Sequence, residues 1–268
     1  MLKVRVIPVL FLMNGLIVRS EGFRKFQVIG NPYGELERYS EWLADELVYV
    51  DITREGSHDL RRDDHKVKDK GDDILSILRE ISRHAFMPLT FGGRLRTMVD
   101  IDAMFQNGAD KILVNTAAYR TPDLVRQAAR THGSQAIVVG IDVTRRPDGR
   151  IAMRIDQGRE EVSDDPAGYA KRMQDVGAGE ILINSIDRDG TAEGYDLEAI
   201  KSIADAVTIP VVACGGVGMF EHFRPALRDA GASAIAAGNI FHFTENAYKR
   251  AKRFLRNRGV DVRYPYPS

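Results

Sequence analysis

The sequence predicts an α/β fold: one closed (β/α)8 TIM barrel. Three observations carry that prediction. Short apolar runs alternate along the chain with segments of helical period, the pattern of βα units around a parallel sheet. Eight such runs are present, the number that closes a barrel. Two stretches also repeat one another without a gap. Phe91-Gly92-Gly93, Gly108-Ala109-Asp110 and Ile112-Leu113-Val114 correspond to Cys214-Gly215-Gly216, Gly231-Ala232-Ser233 and Ile235-Ala236-Ala237. A chain of 268 residues suits one such barrel, for which about 250 is usual.

The strand-like runs are 4–10, 47–51, 87–91, 112–115, 137–142, 181–185, 211–214 and 234–237. Helical segments fall between them at 32–43, where Leu36, Tyr39 and Leu43 recur each turn, and at 73–83, 99–105, 122–131, 166–176, 197–206 and 221–229. Gly108-Ala109, Gly177-Ala178-Gly179 and Gly231-Ala232 are stop signals after three of these. The repeat puts a pseudo-symmetry boundary near residue 133, so that 1–132 and 133–268 are half-barrels of one domain over 1–268. Residues 14–31 read as a Gly-containing loop after the first strand, and 143–161 carry Pro147-Asp148-Gly149 as a turn between strand-like flanks. Both lie on the strand C-terminal side, where barrels build their sites, and both have the length of lids. Residues 58–73 mix both charges densely and read either as a solvated face or as the rim of a site.

Lysine plus arginine equals aspartate plus glutamate, 38 of each, so no long-range field favours nucleic acid or an anionic membrane. The one cysteine, Cys214, excludes an internal disulfide, suits a reducing compartment and reads as a buried strand thiol. The apolar start at 4–13 is too short for a membrane span or a signal peptide, and a cytoplasmic location is expected. The six histidines show no metal-ligand spacing, so no metal and no cofactor are expected.

Glycines just past a buried parallel strand either make tight strand-to-helix turns or let backbone N–H groups converge on an anion. Because the motif occurs twice in register, with Asn115-Thr116 and Gly238-Asn239 at equivalent strand ends, it points to a ligand with two phosphates.

Across nearly the whole chain the residues carry a resemblance. Arg5-Val6-Ile7-Pro8, Asp45-Glu46-Leu47, Leu113-Val114-Asn115-Thr116-Ala117-Ala118, Gly133-Ser134-Gln135, Gly140-Ile141-Asp142 and Ser185-Ile186-Asp187-Arg188-Asp189-Gly190-Thr191 resemble the cyclase subunit of imidazole glycerol phosphate synthase. That resemblance implies a barrel of the ribulose-phosphate-binding type made of two half-barrel repeats. It also implies a glutaminase partner at the N-terminal face, which supplies ammonia through the barrel to a phosphorylated substrate at the opposite face. Two aspartates serve that family as general acid and base. Here one is Asp142, whereas Phe11 stands in the other's place and can neither give nor take a proton. Phe11 is either a core filler or an apolar wall for a different substrate.

By the same resemblance Arg19, Asp51, Asn184, Asp187 and Asp189 bind substrate. Gly92, Gly93, Asn115, Thr116, Gly190, Gly215, Gly216, Gly238 and Asn239 bind phosphate, and Arg5, Glu46, Lys111 and Glu180 ring the ammonia entrance. Arg94 stands where the family often has a third glycine, and it either pairs with phosphate or blocks the pocket. Arg19 is a substrate clamp or an ordinary loop cation. Phe11, Asn184 and Cys214 together look like the paralogues found with sugar amidotransferases, which supply ammonia for acetamidino groups on bacterial surface sugars. The alternatives are a true cyclase in which Asp51 or Asp187 replaces the missing acid, and a non-catalytic activator of the glutaminase.

Overall fold

The computed structural model describes residues 3–53, 74–243 and 246–265, so the charged segment 58–73 lies outside the described residues. In chain order the strands are β1 (Arg5–Met13), β2 (Leu16–Glu21), β3 (Lys25–Gly30), β4 (Leu47–Asp51), β5 (Leu89–Gly92), β6 (Lys111–Val114), β7 (Ile137–Arg145), β8 (Ile151–Ile155), β9 (Glu160–Val162), β10 (Glu180–Ser185), β11 (Val211–Cys214) and β12 (Ala234–Ala237). Eight of them pair in parallel in the order β10-β11-β12-β1-β4-β5-β6-β7, and β7 pairs with β10 to close the barrel.

Burial on both faces is why these strands read as unbroken apolar runs. In β1, Val6, Leu10 and Leu12 pack outward in the large core against the helices. Ile7 and Val9 point into the lumen, where they join Val48, Leu113, Val138, Leu182 and Val212. The period-two alternation exists, but both of its faces are apolar.

Two strand extensions shape the C-terminal end. Residues 14–31 form an antiparallel hairpin continuing β1, in place of the loop expected there; β2 pairs β1 and β3 pairs β2. Asn14-Gly15, both at positive φ, makes the reversal, which is the commonest two-residue hairpin chemistry. The expected turn at Pro147-Asp148-Gly149 lies between β7 and β8, and β9 completes that second extension.

Helices pack outside. Pro32–Glu41 starts where the Asn31 side chain accepts from the amides of Tyr33 and Gly34, and Met98–Gln106 starts with a capping box between Thr97 and Asp100. The segment expected at 221–229 divides into a 3₁₀ turn, Phe220–His222, and a short helix, Phe223–Arg228. Three further helices, Thr116–Arg120, Asn239–His242 and Ala247–Asn257, lie outside the expected segments; the first two are too short to show a period, whereas the last buries Ala247, Tyr248, Ala251 and Leu255 at helical spacing that the sequence does carry. The last is tied to the barrel floor by a buried polar cluster. Lys252 donates to Asp45 at 2.7 Å, the Asp45 carboxylate accepts from the Val6 amide at 3.0 Å, and Tyr248 bridges the Asp45 amide and the Val6 carbonyl. Among the described residues no helix is long and apolar enough to cross a membrane.

Candidate functional site

Each end of the barrel carries a distinct arrangement. At the N-terminal end, Arg5, Lys111 and Glu180 open β1, β6 and β10, and Glu46 immediately precedes β4. Equivalent positions at the starts of these four barrel strands bring the side chains together across the mouth in a closed ring of alternating sign. Arg5 pairs with Glu46 at 2.6 Å and with Glu180, while Lys111 pairs with Glu46 at 3.1 Å and Glu180 at 3.0 Å. Thr90 adds a hydrogen bond to Glu46 at 2.7 Å. Burial works against the charge on both Arg5 and Glu46. Ion pairing outweighs it, with Glu180 and Glu46 raising the guanidinium pKa and Lys111 and Arg5 lowering that of Glu46.

Above the ring the lumen is apolar, as the packing of Ile7, Val48, Leu113, Val138, Leu182 and Val212 requires. Above that layer a cavity of about 550 Å³ opens at the C-terminal end. Phe11, Phe23, Phe26 and Val50 give it an apolar side; Asp51, Asn115, Asp142 and Asn184 give it a polar floor.

Asp142 accepts from Asn115 Nδ2 at 2.8 Å and from Asn184 Nδ2 at 3.4 Å. Desolvation is the stronger influence and pushes its carboxyl up to about 7, although those two donors oppose it. A carboxyl raised toward neutral pH is suited both to give and to take a proton. Asp51 is the other carboxylate of this floor and accepts from the Thr53 amide at 2.9 Å.

A second, much smaller cavity, about 30 Å³, is lined by Asp189, Gly190, Gly215, Gly216, Gly238 and Asn239. Phe11 lines both cavities and meets Phe23 edge-on, with centroids 6.3 Å apart. It is therefore a wall between the two and not buried filler.

The expected phosphate residues thus divide. Gly93, Asn115 and Thr116 line the larger cavity; Gly190, Gly215, Gly216, Gly238 and Asn239 line the smaller one. Gly92 lines neither, because it sits against Leu113 so closely that a Cβ would lie 2.8 Å from the leucine Cβ. Among the expected substrate residues, Asp51 and Asn184 reach the larger cavity, and Asn184 and Asp189 the smaller.

Arg19 and Asp187 do not line either cavity. The Arg19 guanidinium lies 5.5 Å from the Phe243 ring centroid, held by a cation–π contact, and the Asp187 carboxylate accepts from the Arg145 amide. Arg94 is exposed at the rim of the larger cavity, so it leaves the space open. Cys214 lies between the cavities, and burial pushes its thiol up to about 12, out of the range of a nucleophile at neutral pH.

Three further arginines at the larger cavity, Arg96, Arg120 and Arg159, have no counterpart in the sequence reading. Gln157 also lines it and donates to the Ile52 carbonyl at 3.3 Å. Arg96 follows the first Gly-Gly motif closely, and its spacing was the available signal. Arg120 and Arg159 arrive from the helix after β6 and from the β8–β9 turn, which only the closed barrel brings together. A family model described as histidine biosynthesis protein matches residues 5–247.

Proposed function

The chain belongs to the histidine biosynthesis protein family, and we propose that within it this barrel serves a glutamine amidotransferase system, taking ammonia from a glutaminase partner at its N-terminal mouth and passing it to a phosphorylated acceptor in the larger cavity. The closed ring of Arg5, Glu46, Lys111 and Glu180 is the observation that carries the reading. Buried ion pairs add little net stability, because desolvation offsets most of the Coulomb attraction. A ring that is nearly neutral for folding and sits across the mouth of an apolar tube is best explained by what it admits.

Two cations and two anions carry no net charge, so the ring exerts little pull on a neutral solute. The lumen above penalises a bare ammonium ion heavily and an uncharged ammonia molecule only slightly. Nitrogen therefore travels in its nucleophilic form and emerges beside Asp142, whose shared proton lets it assist addition at the acceptor. Phe11 supports an acceptor other than the one that ring closure requires. With Asn184 and Cys214 it favours the paralogues that provide ammonia for amidination of bacterial surface sugars. A second reading, ring closure with Asp51 in place of the missing acid, is favoured by one observation: Asp51 and Asp142 share the same cavity floor.

The test combines the purified chain with the glutaminase encoded in the same genome. We expect faster glutamine hydrolysis in the mixture, and little or no imidazole formation from the histidine-pathway bisphosphate supplied with ammonium salts. Hydrolysis unaffected by the chain would remove the proposal, and brisk cyclisation would establish the second reading.

A further inference from the structure

The duplicated glycine motifs predict two matched anion pockets, yet the two cavities differ greatly in size. The smaller, at about 30 Å³, has room for roughly two waters and less than one phosphate group requires. The chain's own first hairpin closes it. Ser20 Oγ donates to Asp189 Oδ2 at 2.6 Å, the Gly22 amide donates to the Asp189 carbonyl at 3.0 Å, and the Phe23 amide reaches the same carboxylate at 3.4 Å. Asn239, one of the residues expected to hold phosphate here, donates from Nδ2 to the Ser20 carbonyl at 3.1 Å. Gly190 lies so near the hairpin that a Cβ would fall 2.9 Å from Glu21 Cα and from the Ser20 carbonyl. A phosphate entering this space would face the Asp189 carboxylate and an Asn239 amide already turned toward the hairpin. The edge-on contact of Phe23 with Phe11 anchors the hairpin in this position.

The larger cavity has the opposite character. Arg94 and Arg96 are exposed at its rim and make no side-chain hydrogen bond or ion pair among the described residues. Arg120 and Arg159 stand beside them, paired with Glu160 and Asp156. At Gly93, a Cβ would come within 2.0 Å of the Asp51 carbonyl, so the turn beneath these arginines stays bare backbone.

We propose that the chain takes a ligand with a single phosphate group, held on the Arg94 and Arg96 side of the larger cavity with its uncharged remainder against Phe11, Phe23 and Phe26, while the Ser20–Asp189 latch keeps a second phosphate out. This rests on the phosphorylated acceptor of the proposed function and narrows it to sugar monophosphates. Forked guanidinium donors suit a phosphate dianion, and aromatic faces suit the apolar face of a sugar ring.

Calorimetric titration of the intact chain with ribose 5-phosphate, ribulose 1,5-bisphosphate and unphosphorylated ribose tests the proposal. Ribose 5-phosphate should bind once per chain, ribose should not bind detectably, and the bisphosphate should bind no more than about threefold more tightly than the monophosphate. Combined Arg94→Ala and Arg96→Ala should weaken monophosphate binding about tenfold or more, as loss of charge-assisted hydrogen bonds requires. Ser20→Ala should improve the bisphosphate alone. A bisphosphate preference of about a hundredfold in the unaltered chain would overturn the single-phosphate inference and leave the phosphorylated acceptor standing. Binding of neither phosphate would overturn both. Undiminished binding in the arginine variant, or no gain from Ser20→Ala, would overturn the assigned position or the latch.

Discussion

Replacing Asp142 by Asn should make the pH dependence of stability visibly flatter. In the folded chain this carboxyl is raised from 3.8 to about 7 by desolvation, so between those values the native state holds a proton that the unfolded chain has released. Stability therefore falls as pH rises through that window, and the loss is complete above about pH 7. At about 1.4 kcal/mol per tenfold change in proton affinity, full desolvation would correspond to about 4 kcal/mol over the window. About 2.5 kcal/mol of it falls between pH 5 and 8. In a barrel of this size that is a change of about 5–10 °C in the Tm difference between the two proteins. Thermal melts of both at pH 5, 6, 7 and 8 would measure it, with Asp142→Asn gaining on the parent as pH rises. A constant difference, or a parent that gains on the variant toward pH 8, would refute the buried and proton-sharing state of Asp142.

Other sites give predictions of different kinds. Lys252→Met takes the ammonium from the buried Asp45 carboxylate and leaves it the Val6 amide in the floor cluster, and should cost about 3–5 kcal/mol in urea unfolding; adding Asp45→Asn should recover part of this. Gly93→Ala forces a Cβ into the Asp51 carbonyl from a backbone at φ +91°, and should cost roughly 2–4 kcal/mol together with the phosphate affinity of the larger cavity. Phe11→Asp restores a second carboxylate beside the cavity and removes the aromatic anchor of the hairpin. Limited proteolysis near residues 21–24 should then accelerate relative to the parent chain.

The barrel was legible because each strand is apolar on both faces and each helix is punctuated by small residues. The eight expected runs coincide with the barrel strands to within a few residues. The first hairpin was not read, although Asn14-Gly15 carries its turn chemistry, because β2 is buried at four of its six positions and β3 at none, so neither alternates cleanly. Short helices such as Thr116–Arg120 hold too few turns for a period to show.

The ring at the mouth was legible because its members stand at strand starts, where the closed barrel fixes their neighbours. Arg19 and Asp187 line neither cavity because their directions are set by contacts far away in sequence, with Phe243 and Arg145. The unequal cavities had no signal either. Their glycine motifs are equivalent, and the difference comes from a hairpin folding over one of them.

An isotope-dilution measurement tests nitrogen transfer through the barrel most directly. Amide-labelled 15N-glutamine and excess unlabelled ammonium would be given to an extract from a strain lacking this gene, supplemented with the purified chain, the proposed glutaminase partner, or both. With the unaltered chain, 15N should enter organic product undiluted by the surrounding ammonium, and Lys111→Met, which breaks the ring, should bring the label down to the bulk ratio. Full dilution with the unaltered chain, or equal labelling with and without Lys111, would contradict passage through the ring.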